Sequence, residues 1–432
     1  MKHRALILFA ATMATLLVSN LIDFTAKNNR YSESFPAVVC PPNLSGQKSV
    51  IALSSPKTPI RRTGSSAMAF ANSRFRVLAG SSQATVIDSQ GVTPISWQVR
   101  TGSWAGGITC LAPTLSQWFV GGTADITSKG TLTLVNSGLG KALIKVTVYT
   151  ENGVQADQAL SVKANSYLTL QLASLAPGSS ALAIHITPQT GRVSAFLTDE
   201  RGRGLRALGG DTVNSVNDPL KNVVIPAIPQ QTGKKTSLPH TLRILIPGEV
   251  GSAINVVITS TDGTFAPAGI DGKMIPAGKV VDIPLNVIMP SGKFALHISS
   301  ERPFVASVLT KTNSLGVSDF LWSTSVPELV KGSYSVTGLA PLLVFTGDQV
   351  DVKLEITSID GKSKSIEIRG TDIATYQISP RTRSFAITKT SEATFAAALL
   401  TSKSGFGYAP LVTGSSLTRT SIPRSNIRVL IP

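Results

Sequence analysis

INVVITSTDG, residues 254–263, decides the fold class, because the chain repeats its pattern at two other places. IKVTVYTENG (144–153) and VKLEITSIDG (352–361) share its alternation of apolar and polar residues and its ending in Asn-Gly or Asp-Gly. Alternation with a period of two is typical of a half-buried β-strand, and these dipeptides favour the tight turns that join antiparallel strands. Each copy therefore predicts a strand that runs into a β-hairpin.

The similarity extends well beyond these ten residues. The stretch 131–153 aligns without a gap with 241–263, and 341–361 is a third version of it. A second block of two strands follows in each copy, at 181–202, 294–314 and 385–405. Copy one holds about seven short strands in about 100 residues, the size of an immunoglobulin-like β-sandwich. The alternation predicts these core residues: Ile144, Val146, Val148, Val256 and Ile258.

We therefore predict an all-β protein of tandem immunoglobulin-like β-sandwich repeats, which follow an N-terminal transmembrane anchor or signal segment. The predicted divisions are a cytoplasmic stub with the anchor or signal peptide (1–26), an extended linker with an N-terminal β segment (27–115), repeat 1 (116–210), a linker with one short strand (211–240), repeat 2 (241–326) and repeat 3 (327–432). Residues 317–338 read as a second linker. The sequence leaves open whether the N-terminal β segment is a further, diverged repeat.

The N-terminus carries an export signal. Lys2 and Arg4 precede an apolar run of 18 residues, 5–22. A signal-peptide core has about 7–15 residues and a spanning helix about 17–25. Cleavage after 12–14 leaves too short a core, and 24–26 has a bulky residue at the −3 position. We favour an uncleaved anchor with the remainder outside the cell membrane; the alternative is secretion after cleavage.

Cys40 and Cys110 are the two cysteines of the chain. Two cysteines in an exported chain indicate one disulfide, and the alternative is two free buried thiols. Closing a loop of this length contributes roughly 4 kcal/mol in the chain-entropy model.

The charge favours anionic partners. The formal net charge is +16 and the isoelectric point is near 10.0. Basic residues occur in short groups at predicted turns, of which Arg201, Arg203 and Arg206 are our candidate anion-binding residues. The alternative is a solvated loop surface without a ligand. Nucleic acid is not an expected partner of an exported chain, and the aromatic–basic alternation of single-strand binders is absent from the sequence.

Three passages resemble an actinobacterial envelope family of unknown function. They are 117–138, 222–229 and 265–285 with its continuation to 308. The resemblance implies an exported, usually membrane-tethered protein, and such proteins are often encoded near envelope glycosyltransferases. It covers about residues 100–310 well and supplies no catalytic residues. The usual Asn-Pro-Gly after the first repeat strand is replaced here by 136–138 and 246–248, which puts the turn geometry in doubt.

Catalytic motifs are absent from the sequence. It contains no nucleophile elbow, phosphate loop, dinucleotide fingerprint or zinc-protease helix. His185 and His297 occupy equivalent repeat positions and are expected on a solvent face, and His240 is expected to be exposed. Asp199-Glu200 is one of two acidic clusters that leave a glycosidase open, although the pairing is not evident. We therefore predict no catalytic, cofactor-binding or metal-binding residues, and no enzyme activity.

The predicted function is that of a non-enzymatic extracytoplasmic cell-envelope protein. It is a scaffold or binding module that contacts anionic wall polymer or an envelope-assembly partner, and the N-terminal anchor holds it to the membrane. The alternative is an enzyme or enzyme accessory that acts on envelope polysaccharide. Trp97, Trp104, Trp118 and Trp322 either fill sandwich cores or stack on sugar rings.

Overall fold

The structure is a computed structural model that describes residues 12–13, 33–216, 218–231, 238–287, 289, 292–314, 317–403, 405–415 and 419–420. The chain divides into two compact units. One comprises Met1–Ser34 and Leu417–Pro432, where the strands Glu33–Ser34 and Arg419–Thr420 pair antiparallel. The predicted anchor, 5–22, lies outside the described residues apart from 12–13. Within the described part, the structure has no helix of the length and apolarity that a membrane span requires.

The other unit, Phe35–Ser416, is nearly all β, as predicted. Its helix Leu172–Leu175 is a single turn. The strands fall into four consecutive groups, which we call the N-module (38–109), module 1 (117–213), module 2 (220–324) and module 3 (332–410).

Each module has two antiparallel groups of strands. In the N-module the first group is, in spatial order, Val38–Cys40, Thr85–Ile87, Pro59–Arg62 and Ala71–Asn72. The second group is Val77–Ala79, Lys48–Ala52, Val92–Arg100 and Trp104–Thr109. In module 1 the first group is Gln117–Val120, Leu182–Thr190, Ala142–Thr150 and Gly153–Val154, and Gln158–Val162 also pairs with Ala142–Thr150. The second group is Ser166–Gln171, Thr131–Asn136, Ser194–Arg203 and Arg206–Val213.

Modules 2 and 3 follow the same order with longer strands. In module 2 the first group is Leu220–Gln230, Gly292–Ser314 and Ser252–Ser260, and both Gly263–Phe265 and Lys273–Ile275 pair with the last of these. The second group is Val280–Leu285, His240–Leu245, Gly292–Ser314 and Val317–Thr324, so the long strand Gly292–Ser314 belongs to both groups. In module 3 the first group is Gly332–Ser335, Thr382–Lys389, Leu342–Ser358 and Ser363–Gln377. The second group is Ser363–Gln377, Leu342–Ser358, Phe395–Ser402 and Gly405–Pro410, so two long strands belong to both groups.

The N-module therefore has the same strand order as module 1, and whether it is a further, diverged repeat stays a prediction. In module 3 the strand Leu342–Ser358 belongs to both groups: its beginning pairs with Phe395–Ser402 and its end with Thr382–Lys389. The register breaks between Gly347 and Val350, where the strand passes from one partner to the other. Whether the modules are immunoglobulin-like stays a prediction.

The predicted core residues are confirmed. Ile144, Val146 and Val148 are buried, and they pack against Leu132 and Leu134 of the facing sheet of module 1. Val256 and Ile258 are buried in the same way in module 2. Alternation predicted them because one face of each sheet turns inward.

The regions read as linkers are built differently from the expectation. The strand Leu220–Gln230 in the predicted linker 211–240 pairs with Gly292–Ser314 as the first strand of module 2. The reading of 317–338 as a linker is wrong, because Val317–Thr324 pairs with Gly292–Ser314 and Gly332–Ser335 pairs with Thr382–Lys389. Gly332–Ser335 also pairs in parallel with the start of Val92–Arg100, which joins module 3 to the N-module.

The last strand of every module meets the last strands of its neighbours. We call these four the axial strands: Trp104–Thr109, Arg206–Val213, Val317–Thr324 and Gly405–Pro410. The first contacts the second, the second the third, the third the fourth and the fourth the first, so that they close a cycle. The modules therefore contact one another through their last strands and are also linked by the chain that connects them.

Glycines allow the axial strands to approach one another. A Cβ at Gly407 would lie 2.6 Å from the backbone nitrogen of Gly107, and one at Gly210 would lie 2.8 Å from the ring of Trp104. A side chain at either position would force neighbouring strands apart, so glycine is required by close backbone packing.

Polar side chains tie the axial strands together. Thr212 Oγ1 donates to the carbonyl of Gly107 at 2.9 Å, and Tyr408 Oη donates to the carbonyl of Thr324 at 2.8 Å. The amide of Asn214, just beyond the second axial strand, donates to the carbonyls of Gly107 and Tyr408 at 2.9 and 2.8 Å. These bonds satisfy backbone carbonyls in the interior, where an unpaired acceptor is costly.

Candidate functional site

The three arginines predicted to bind anions do not form one surface. The Arg201 guanidinium lies 2.8 Å from Asp199 Oδ2 and 4.7 Å above the ring of Phe320. Burial would lower the pKa of Arg201, but the Asp199 carboxylate outweighs it and raises the pKa. Arg203 and Arg206 are exposed and pair across a tight turn, beyond a bulge after Arg201. Arg201 is therefore already neutralised by an internal partner, and only the other two are open to an external anion.

The acidic cluster that begins at Asp199 lies in the interior. Asp199 is fully buried, and its Oδ2 accepts the indole N–H of Trp322 at 2.9 Å in addition to the Arg201 contact. Glu200 is buried as well and forms an ion pair of 2.8 Å with Arg100. Both carboxylates are thus buried and paired with cationic or N–H groups of the protein.

Two further buried carboxylates stand on the axial strands, and no pattern in the sequence indicated them. Asp211 accepts the backbone N–H groups of Trp322 and Thr212 at 2.6 and 2.7 Å. Burial raises the pKa of Asp211 well above its usual value despite these two donors. Asp319 accepts the N–H of Gly210 at 2.9 Å, and burial raises its pKa to about 7. Perturbed carboxylates can mark active sites, but these two accept backbone N–H groups of neighbouring strands and so cross-link them.

The expectation that His240 is exposed is wrong. His240 is 2% exposed, and its ring bonds Thr310 Oγ1 at 2.9 Å and Gln230 Oε1 at 2.5 Å. Burial lowers the pKa of His240 to about 4, so the ring is neutral at pH 7. The residue starts a strand that pairs on both sides, and sequence reasoning missed this because it placed His240 in a linker.

His185 and His297 are half-buried rather than fully exposed. The His185 ring stacks on Trp118 at 3.9 Å, and its Nε2 lies 3.0 Å from Ser116 Oγ. Ser116 donates in turn to Asp218 Oδ1 at 2.6 Å. The carboxylate therefore engages the hydroxyl and not the imidazole, unlike the base-orienting carboxylate of a hydrolytic triad.

The tryptophans are mostly interior. Trp104 and Trp322 are fully buried beside the axial strands, and Trp118 packs between modules 1 and 2. Trp97 is half-buried. None of the three buried indoles presents a face to a sugar, so the structure supports their role in packing.

A different group of basic residues gathers where module 3 meets the N-module. We call Arg76, Lys362, Arg381 and Arg383 the basic end cluster. The Arg76 guanidinium donates to the carbonyl of Ile359 at 2.8 Å, and the Ile359 N–H donates to the carbonyl of Arg381 at 2.8 Å. Thr337 joins the carbonyls of Leu53, next to Arg76, and of Arg383. These hydrogen bonds therefore hold together the backbone segments that carry the four cations, one from the N-module and the others from module 3.

The cations of the basic end cluster form no short ion pair in the described ranges, although the charge of Lys362 acts on the nearby Asp360 carboxylate. In the described ranges, the ion pairs within 4.0 Å involve other cations, so no cluster member has a carboxylate partner at that distance. The Nε atoms of Arg76 and Arg383 are buried and lack a hydrogen-bond acceptor. Asp360 lies in the adjoining turn, where a hydrogen bond from Ser358 lowers its pKa and keeps it charged. The accessible parts of these cationic groups could therefore contact an anionic group, because no carboxylate of the described ranges is paired with them.

The disulfide prediction is confirmed. Cys40 and Cys110 are bonded, and both are fully buried. The bond links the first sheet of the N-module to the residue that follows its axial strand. Across the residues that the structure describes, no group of three or more His, Cys, Asp or Glu side chains could hold a metal ion.

Comparison with known proteins gives a family without an activity. Residues 65–379 match the profile of a family of unknown function, DUF5719. No curated protein matches the chain. The match begins inside the N-module and ends inside module 3, so it includes most of the four-module unit.

Proposed function

We propose that this protein is a non-enzymatic extracytoplasmic scaffold or binding protein of the cell envelope. The chain belongs to the family of unknown function DUF5719. In this proposal residues 5–22 anchor the chain in the membrane and the four modules lie outside. The resemblance to actinobacterial envelope proteins supports that location. The buried disulfide agrees with it, because such bonds persist in oxidising compartments.

The ligand is an anionic polymer of the envelope, and the basic end cluster carries this part of the proposal. The single observation that favours an anion there is that none of these cations has a carboxylate within 4.0 Å in the described ranges. Guanidinium groups bind carboxylate and phosphate through paired N–H donors. Arg203 and Arg206 add exposed charge elsewhere on the surface.

Affinity of this kind is spread over many weak contacts. An exposed ion pair contributes about 0–1 kcal/mol, and salt screens it over about 8–10 Å. A polymer that touches several cations at once converts such contacts into useful binding by multivalency. Binding should therefore fall steeply as the salt concentration rises.

The test is retention of the full chain, in detergent, on isolated anionic wall polymer over a series of salt concentrations. We expect strong retention at low salt and loss at high salt. Arg381→Gln with Lys362→Gln should weaken retention about tenfold, because two contacts are lost. The matched control, Arg203→Gln with Arg206→Gln, removes the same charge and should weaken it about twofold. Equal retention at all salt concentrations, or equal effects of both double variants, contradicts the proposed contact surface.

A further inference from the structure

A cavity of about 490 Å³ lies where the N-module meets module 3. This volume is in the range of ligand-binding pockets, which commonly form between domains. Its walls come from five separate segments: 35–38, 89–93, 331–333, 386–388 and 413–415. We call it the seam cavity.

One wall of the seam cavity is a tight turn. Gln90 and Gly91 both have positive φ, 51° and 84°, and the Val92 N–H donates to the carbonyl of Ser89 at 3.1 Å. Two successive residues with positive φ are the mark of a type I′ turn. Phe35 packs directly on this turn, since a Cβ at Gly91 would lie 2.9 Å from its ring.

The other walls are held in place by hydrogen bonds. Ser333 pairs in parallel with Val92 across the junction of the two modules. The N–H of Gly414 donates to Thr93 Oγ1 at 2.7 Å, and its carbonyl accepts the N–H of Ala112 at 2.7 Å. Backbone pairing and hydrogen bonds therefore fix the position of these wall segments.

The lining specifies an apolar ligand with one negative end. Phe35, Val38, Val92, Ala386 and Ile387 supply apolar surface, and the polar groups are mostly serine and threonine hydroxyls. Lys331, which is exposed, is the charged residue among the lining residues, and no carboxylate lines the cavity. A chain of methylene groups with an anionic head group satisfies both features.

The length of chain before the cavity indicates where this ligand comes from. Phe35 is 13 residues beyond the end of the apolar run 5–22. An extended chain spans at most about 3.6 Å per residue, so this wall lies within about 47 Å of the end of that run. If the run is the membrane anchor of the proposed function, a tether of this length connects the Phe35 wall to the lipid surface.

We propose that the seam cavity binds the acyl chain of an anionic membrane lipid, with the lipid phosphate beside Lys331. The inference rests on the membrane anchor of the proposed function, and it adds a lipid site to a protein proposed to bind polymer. An acyl chain in the membrane is already in apolar surroundings, so moving it into the cavity yields no hydrophobic gain. The preference for this site must therefore come from the shape of the cavity and from the contact between the lipid phosphate and Lys331.

The test uses the full chain in vesicles of phosphatidylcholine and phosphatidylglycerol that contain a trace of phosphatidylglycerol with a diazirine on its acyl chain. After photolysis, peptide mapping should find the label on segments 35–38, 89–93 and 386–388. Ala386→Trp fills the cavity and should lower this labelling at least fivefold. Ala253→Trp, on a strand beside an open groove of module 2, is the matched control and should leave labelling unchanged.

Further variants keep the result interpretable. Thr413→Trp fills the cavity from another wall and replaces Ala386→Trp if that variant does not fold. Lys331→Gln should lower labelling by the phosphatidylglycerol probe several-fold and labelling by an equivalent phosphatidylcholine probe little. Labelling confined to residues 5–26, or equal labelling in the filled variants, overturns the proposal.

Flotation of the vesicles separates the two proposals. A chain that floats without cavity labelling refutes the lipid site and leaves the anchor intact. A chain that does not float refutes the anchor, and diazirine-labelled palmitate added from solution then tests the cavity by itself. Label in the cavity from this probe, blocked by Ala386→Trp, supports the site, and its absence overturns it.

Discussion

Asp319 on an axial strand and Asp351 on the outer face of module 3 are the same residue type in opposite surroundings. Asp319 is 5% exposed, and burial raises its pKa to about 7. Asp351 is partly exposed, and the hydrogen bond from Lys389 Nζ, 2.6 Å long, lowers its pKa. The axial carboxylate therefore links strands at an electrostatic cost, whereas the outer one belongs to a solvated ion-pair network. Stability should depend on the axial strands far more than on the outer charges.

The largest effect is expected from packing a side chain between the axial strands. Gly407→Val introduces a Cβ only 2.6 Å from the Gly107 nitrogen, and backbone must move to admit it. We expect a loss of about 3 kcal/mol or more in the free energy of unfolding, measured by urea denaturation. Gly140→Val is the control, because nothing lies within 4 Å of a Cβ at that position. Equal midpoints for the two variants would show that the axial strands are not tightly packed.

Ion pairs should show the same contrast at smaller amplitude. Arg243 is 2% exposed, and it contacts Asp282 at 2.7 Å and the carbonyl of Gly122 in module 1. Arg243→Met should lower the free energy of unfolding by about 2–3 kcal/mol. This loss is smaller than for a fully buried ion pair, because water reaches Asp282. Lys389→Met breaks an outer pair and should leave the urea midpoint within error of the wild type. A large loss in Lys389→Met, or none in Arg243→Met, contradicts the comparison.

The pH dependence isolates Asp319. Because its pKa is raised in the folded state, folding takes up a proton between about pH 4, the unfolded value, and about pH 7. Its contribution to stability is thus full below pH 4 and is lost as the pH rises through 7. The slope is at most about 1.4 kcal/mol per pH unit for one proton.

Asp319→Asn should remove this slope from the urea stability profile between pH 4.5 and 7.5. The comparison is made as a difference from the wild type, since Asp211 contributes in the same direction. Asp351→Asn is the control and should leave the slope in this range unchanged, because the pKa of Asp351 is lowered. Parallel profiles for Asp319→Asn and the wild type would refute a raised pKa at Asp319.

The sequence predicted those features that depend on neighbours along the chain. The three hairpin strands, the alternating core residues and the disulfide followed from period, turn dipeptides and cysteine count. The N-module was harder to recognise, because strands such as Val38–Cys40 and Thr85–Ile87 are too short to show alternation. The axial strands were missed because they are largely buried on both faces, and three of them contain two glycines each, which in isolation read as turn or linker. The other, Val317–Thr324, lies in a stretch that was read as a linker.

The candidate site depends on contacts between distant residues. Arg76 reaches Ile359 across 283 positions of the sequence, so its membership of the basic end cluster was not readable from the local pattern. Arg381, Arg383 and Lys362 were visible as basic residues at turns, but so were Arg201, Arg203 and Arg206. The buried Asp199 occupies Arg201, so of that group Arg203 and Arg206 alone stay open to an external anion.

The central claim is that the axial strands join the four modules into one cooperative body, and native-state hydrogen exchange tests it most directly. We expect slow amides in Trp104–Thr109, Arg206–Val213, Val317–Thr324 and Gly405–Pro410 to exchange through one shared opening, with free energies that agree within about 1 kcal/mol. Amides of the peripheral strand Gln158–Val162 should exchange at lower free energy. Four separate opening free energies, one for each module, would contradict the account.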